Sequence, residues 1–255
     1  MTPKEISIMI EENASEPLAI LKKLNGFYEC PKGKDGERLG PLVGYAGKYE
    51  APDGTKKQFV GDVYLNCSVA EQYPVVMHTF AKQLQEKLKD ILNEVDVIVG
   101  PQMGGIAIAQ MLAFVAEKKF AYIEKKVTQV ATETLREQAE LKLIRHTINP
   151  GEKVLIMEDV LNNFSTAGET IEMLEGLHGA KVTAIACLLN RSLTIDKEFT
   201  YKERQIPIFA LIRKEITEWK QEDVEVVNDI QNKNVILKPK NDWGTLVKAM
   251  TENAK

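Results

Sequence analysis

The feature that most constrains this chain is a series of short, almost continuously apolar runs separated by helical patterns. They are Val95 to Gly100, Phe120 to Glu124, Val154 to Met157, Lys181 to Leu189 and Ile208 to Ile212. Between them, Gly104 to Glu117 is rich in Ala and Ile, and Glu169 to Leu177 repeats apolar residues at helical spacing. A strand that is apolar at every position has no face to give to water. Strands of this kind alternating with helices predict an α/β fold, with a parallel sheet covered by helices on both faces.

The flanks read differently. Residues 4–27 predict one or two short helices, broken at Asn13 to Pro17, with Ser15 as a cap for the second. Residues 30–57 are rich in Gly, Lys and Pro and predict loops and short hairpin strands. Phe59 to Leu65 alternates and predicts one strand, and Pro74 opens a helix expected to run from Val75 to Leu92. Asn234 to Leu237 predicts a short strand, with a last helix after Asn241. The expected organisation is a helix and loop hood over 1–60, a core over 61–223 and an appendage over 224–255. Residues 127–145 are polar and join two core strands. A solvated helix or hairpin is one reading, and a mobile lid over the sheet's carboxyl edge is the favoured one.

Composition narrows the function classes. The net charge of −4 provides no overall basic field, so no nucleic acid partner is expected. Cys30, Cys67 and Cys187 are far apart and form no CxxC pair, which fits small buried hydrophobes in a reducing compartment. The histidines, His78, His146 and His178, lack metalloprotease spacing. Acidic residues come too early for a signal peptide, and no apolar run approaches the ~20 residues that span a membrane. A cytoplasmic protein with no membrane partner is expected.

Ligands of open α/β sheets bind at the carboxyl ends of the strands, and two such ends carry unusual residues. After Val154 to Met157 come Glu158 and Asp159, then Asn162-Asn163-Phe164-Ser165-Thr166-Ala167-Gly168 and a helix. The helix N-terminus offers N–H groups and a positive dipole end to a phosphate. The acid pair could accept from a sugar diol or help hold Mg²⁺. The plainer alternative is that Asp159 and Asn163 shape a turn and Ser165 caps the helix. The second end is Gly100-Pro101-Gln102-Met103-Gly104-Gly105, where two glycines would let backbone N–H groups approach an anion, or simply make a tight turn.

Together these segments resemble the type I phosphoribosyltransferase family, and most closely its orotate branch. VLIMEDV is similar to the family's apolar–acid–acid signature, VIVGPQMGGIAIAQMLA to its pyrophosphate loop and helix, and FAYIEKK to the strand before its hood loop. LKLIRHTINPGEKVLIMEDV, GAKVTAIACLLNRS and VYLNCSVAEQYP extend the resemblance over roughly residues 58–220, in the family's order. It implies Mg²⁺-dependent transfer of ribose 5-phosphate from phosphoribosyl pyrophosphate to a nucleobase. Orotate is favoured, giving orotidine 5′-phosphate for pyrimidine synthesis. Transfer to a purine or another base, and a non-catalytic sensor of phosphoribosyl pyrophosphate, are the alternatives.

By the resemblance, Glu158 and Asp159 would hold the ribose hydroxyls, Asn162 to Ala167 the 5′-phosphate, and Gln102, Met103, Gly104 and Gly105 the pyrophosphate. Lys125, and with it Lys126, would reach the phosphates from the hood segment, across the interface of a homodimer. Arg191 and Tyr64 would lie near the base, with Arg191 suited to a carboxylate. Arg145 matches an Arg of the orotate branch. The magnesium would be held mainly by the substrate, with Asp159 as its protein ligand. One stretch departs from the family: its usual Thr-Thr-Gly-Gly-Ser loop is Asn-Asn-Phe-Ser-Thr here, with no glycine before Gly168. Phe164 would not adopt positive φ cheaply, whereas Asn tolerates it better.

Overall fold

The computed structural model describes residues 1–129 and 138–253. Its elements begin with α1 (Pro3–Glu12), α2 (Pro17–Lys23), β1 (Phe27–Glu29), β2 (Leu42–Glu50), β3 (Lys56–Gly61) and β4 (Val63–Leu65). Next come α3 (Cys67–Glu71), α4 (Pro74–Lys87), α5 (Lys89–Leu92), β5 (Val97–Pro101), α6 (Gly104–Ala116), β6 (Lys119–Gln129) and β7 (Gln138–Lys142). Then follow β8 (Lys153–Leu161), α7 (Ser165–His178), β9 (Lys181–Asn190), β10 (Glu198–Tyr201) and β11 (Arg204–Arg213). The chain closes with α8 (Val227–Gln231), β12 (Val235–Ile236) and α9 (Trp243–Glu252). These elements form two compact units, Met1–Pro17 with Glu71–Glu215, and Leu18–Ala70 with Ile216–Lys255.

The first unit holds a seven-stranded sheet in the order β10-β11-β9-β8-β5-β6-β7. The five central strands are parallel, as their apolar character predicts, and β10 and β7 are antiparallel edges. Alternation splits the core. Val97, Val99, Val154, Ile156, Ile185 and Cys187 share one cluster with Ile171 and Leu174 of α7. Ile98, Leu155 and Met157, one residue out of step and fully buried, point to the opposite face, where α6 lies along β5 and β8 with α4 beside it. At the start of this unit, Thr2 and Glu5 form a reciprocal capping box with Pro3 at the first helical position.

Several element boundaries differ from expectation. The helix after Pro74 ends at Lys87, because Leu88 leaves helical geometry at φ −98°, ψ 3° and the last turn continues separately as α5. The 127–145 segment supplies the ends of an antiparallel pair, β6 with β7; the centre of the expected lid, residues 130–137, lies outside the described residues. β8 continues past Met157 to Leu161, paired with β9 throughout, so the acid pair lies inside the strand rather than closing it. The edge strand β10 has no counterpart in the sequence reading.

In the second unit, β12-β2-β3 form one sheet and β1-β4 another. The single strand expected over Phe59 to Leu65 is thus two strands with different partners. Gly61 marks the corner: a Cβ there would lie 2.1 Å from the Tyr45 hydroxyl, which donates to the Val63 carbonyl at 2.7 Å. Residues 224–255 supply β12, α8 and α9 to this unit. Leu42, Val60 and Val226 form its small core with Trp219, Ile230 and Val235 packed against them. Among the described residues, no helix is long and apolar enough to cross a membrane.

Candidate active site

β8 carries the acid pair. By strand alternation Glu158 follows Val154 and Ile156 toward the α7 face, while Asp159 follows Leu155 and Met157 toward α6. Glu158 is only 7% exposed. Burial pushes its carboxyl up to about 8, the charge of Asp159 adds to the rise, and Lys125 opposes it. Over most of the neutral range Glu158 is therefore a carboxylic acid, able to donate as well as accept a hydrogen bond. Opposite it in the sheet sits Cys187, whose thiol is raised well above its ordinary value, by burial first and then by the charges of Glu158 and Asp159. All three cysteines are buried and none forms a disulfide, as expected of small hydrophobes.

The glycine loop joins β5 to α6, with a cis peptide between Gln102 and Met103. The Gln102 N–H donates to the Ile123 carbonyl at 3.0 Å, tying the loop to β6. A Cβ on Gly104 would fall 1.9 Å from Asp159 Oδ2, one on Gly105 2.6 Å from the Met157 carbonyl, and one on Gly100 2.7 Å from the Gly105 carbonyl. None of the three sits in left-handed geometry. These glycines are required because the first turn of α6 packs directly onto the end of β8. That contact sets the Asp159 carboxylate against the start of α6, where the dipole favours negative charge. Met103 projects outward, 79% exposed.

The loop from Asn162 leads into α7. Phe164 is its N-cap at φ 60°, ψ 15°, so a residue with a Cβ occupies the left-handed basin. Its ring is 3% exposed and stacks on Phe199 of β10 at 5.2 Å between centroids and 15° between planes. Asn163 Oδ1 accepts from the Ser165 N–H at 3.2 Å and from its hydroxyl at 3.0 Å. Asn163 thus shapes the turn, and Ser165 is the first residue of the helix rather than its cap. The sequence does not mark Phe199 as part of this site, because nothing in Glu198–Tyr201 taken alone points to the loop.

The remaining candidates divide between the two units. Lys125 and Lys126 lie on the exposed reach of β6, paired with Leu141 and Glu140 of β7. Arg145 Nε contacts Glu124 Oε1 at 3.2 Å, a clasp between β6 and the segment after β7. Arg191 immediately follows β9, is 8% exposed, and donates its N–H to the Leu161 carbonyl at 2.9 Å. Its loop is held from within: Asn190 Nδ2 donates to the Ile195 carbonyl at 3.0 Å, and Arg213 Nη2 donates to the Ser192 carbonyl at 2.7 Å. The first unit therefore gathers Gln102 to Gly105, Glu158 to Ala167, Lys125 and Arg191 around the carboxyl ends of β5, β6, β8 and β9. Tyr64 belongs to the second unit, on β4, with its ring 6.1 Å from that of Trp243.

An orotate phosphoribosyltransferase of Thermoanaerobacter sp. is 33% identical over 132 residues, 51% of this chain and 62% of that protein. The aligned stretch thus spans less than two thirds of that relative's length. A second, from Caldanaerobacter subterraneus subsp. tengcongensis, is 29% identical over 163 residues, 64% of this chain and 75% of that protein. Among solved structures, orotate phosphoribosyltransferase from Aeropyrum pernix aligns with a TM-score of 0.49 at 16% identity, over 76% of this chain and 91% of that one. The profile of the phosphoribosyl transferase domain matches residues 73–226, well over half of the sequence and the span that holds every site loop of the first unit. The chain belongs to the phosphoribosyl transferase domain family.

Proposed function

We propose that this protein transfers ribose 5-phosphate from phosphoribosyl pyrophosphate to orotate, forming orotidine 5′-phosphate. The observation that carries the reading is the meeting of three devices at the end of β8. The acid pair suits a ribose diol, the start of α6 beside it suits the pyrophosphate, and the loop into α7 suits the 5′-phosphate. The orotate enzymes among the relatives, and the buried Arg191 after β9, support orotate as the acceptor.

In this reading Glu158 and Asp159 bind the ribose hydroxyls, Glu158 entering as a neutral acid that can donate. Asn162 to Ala167 hold the 5′-phosphate on the first turn of α7. Gln102 to Gly105 hold the pyrophosphate, and Lys125 and Lys126 draw toward its negative charge. Arg191 pairs with the orotate carboxylate. A ring nitrogen of the base then bonds to C1 of the ribose as the C1–oxygen bond breaks and pyrophosphate leaves with the bonding pair. Positive charge that develops on the ribose is stabilised by pre-positioned groups rather than by a covalent partner.

Among the described residues no three His, Cys, Asp or Glu side chains converge as a metal cage. Asp159, whose carboxylate lies against Gly104 at the start of α6, would be the protein ligand of an ion carried mainly by the donor's own oxygens. Mg²⁺ bound there would supply charge neutralisation of the departing pyrophosphate. A second copy of the chain is the expected partner. A cytoplasmic setting fits three cysteines that form no disulfide.

A base-panel assay with phosphoribosyl pyrophosphate and Mg²⁺ tests the reading. Orotate turnover is the expected result. Turnover of a purine instead would transfer the assignment to that base, and donor binding with no turnover of any base would make the protein a sensor. Asp159→Asn should cut transfer by on the order of a hundredfold with an unchanged melting temperature; near-normal turnover would remove Asp159 from its role.

A further inference from the structure

We propose that Phe199, on the edge strand β10, is a positioning residue for the phosphate loop: by stacking on Phe164 it holds that residue in left-handed geometry and keeps the cradle preformed. The proposal rests on the reading of Asn162 to Ala167 as the cradle of the 5′-phosphate.

Phe164 sits at φ 60°, ψ 15°, where a Cβ meets backbone oxygen and where glycine is the usual occupant. Something must compensate. The hydrogen bonds of Asn163 and of the Phe164 carbonyl serve the turn and the helix. Asn163 Oδ1 engages Ser165, and the Phe164 carbonyl accepts from the Gly168 N–H at 2.9 Å, which begins the helix. The compensating contact is the ring. It turns away from the loop into the cluster with Ala167 and Ile171, 3% exposed, and lies nearly parallel to Phe199 at 5.2 Å. With the ring inside, Ser165 and Thr166 keep the outer side of the turn, where an anion can meet the start of α7.

β10 is itself held in place. It pairs with β11, with Phe199 opposite Ile206. Farther along α7, Glu172 accepts from the Tyr201 hydroxyl and pairs with Lys202 at 3.0 Å. One short strand therefore grips α7 at two places, its N-cap through Phe199 and its middle through Tyr201 and Lys202. It acts as a splint along the helix whose first turn would bind phosphate. A chain with glycine at 164 would need no such splint; this one replaces backbone freedom with a tertiary contact.

The test uses the full chain, with ribose 5-phosphate as the probe in calorimetry and phosphoribosyl pyrophosphate in steady-state assays. Phe199→Ala should weaken ribose 5-phosphate binding and raise the donor KM on the order of tenfold, with kcat changed less than about twofold, since phosphate binding is remote from C1. The double variant Phe164→Gly/Phe199→Ala should recover most of the affinity, because glycine takes the left-handed torsion without a stack. Tyr201→Phe, which loosens β10 but keeps the stack, should bind like wild type. Should Phe199→Ala fail to fold, Phe199→Leu keeps the apolar volume, and a smaller rise in KM is expected of it. Unchanged affinity in Phe199→Ala or in the folded Leu variant, or a double variant no better than the single, overturns the proposal. If wild type itself fails to bind ribose 5-phosphate and the donor, the reading of the site falls and takes this proposal with it. Binding by wild type with no effect at Phe199 overturns this proposal alone.

Discussion

Glu158 shows what one buried side chain contributes. In the unfolded chain it releases its proton near 4.5; in the folded protein burial and Asp159 hold the proton to about 8. Across that window unfolding releases a proton, so the protein loses stability as pH rises from about 4.5 to about 8 and loses no more from this group beyond that. Glu158→Gln keeps the shape and removes the titration. Its melting temperature should match wild type near pH 5 and exceed it at pH 8, by on the order of 3 kcal/mol in stability. An equal gap at both pH values would show that Glu158 is not the titrating group. Thr170 offers a second case. Its side-chain oxygen is fully buried in α7 with no hydrogen-bond partner among the described residues. Thr170→Val should therefore stabilise the protein by about 1 kcal/mol in a denaturant titration; a loss would mean the hydroxyl is satisfied in solution. Glu158 and Asp159 stand out in the sequence as charges in an apolar run. The state of Glu158 does not, because it depends on what surrounds the carboxyl.

At the scale of elements, the contact between α6 and β8 organises the site. Gly104→Ala would drive a methyl into the Asp159 carboxylate, so it should lower donor affinity at least about tenfold and the melting temperature with it. Gly244, in α9, is the matching control. A Cβ there meets nothing within 4 Å, and Gly244→Ala should stabilise by about 0.5–1 kcal/mol. Equal effects from the two substitutions would deny the α6–β8 contact its role. The glycine pair was legible as a strand–helix loop, but its reason was not, since Met157 and Asp159 are distant in sequence. β8 outruns its apolar pattern for a similar cause: charges at 158 and 159 look like the end of a strand until β9 supplies partners out to Leu161. Alternation persists through Phe59 to Leu65, and only the Tyr45 side chain at Gly61 reveals the corner.

Over the whole molecule, the second unit is assembled from segments far apart in the chain. β12 pairs with β2, the N–H and carbonyl of Trp219 bond with those of Val60, and Arg38 meets Asp229 at 2.9 Å. Leu42 and Val60, both fully buried, depend on Val226 for their cover. Removing residues 216–255 should uncover Leu42 and Val60 and loosen β2 and β3. Trypsin should then cut at Lys56 and Lys57 far faster than in the full chain, where Lys57 is paired with Glu222. Unchanged resistance would mean that 18–70 holds together by itself.

The sequence by itself determined the sheet, its parallel centre, the order of the loops and the acid pair, because these follow from local periodicity and from residue types that cannot be buried without purpose. Tertiary structure decided the rest: a proton kept on Glu158, glycines required by the approach of α6 to β8, and an edge strand that lets Phe164 stand where a glycine would serve. Burial, close approach and backbone strain are set by neighbours in space. No single stretch of chain contains those neighbours, so no single stretch could have announced them.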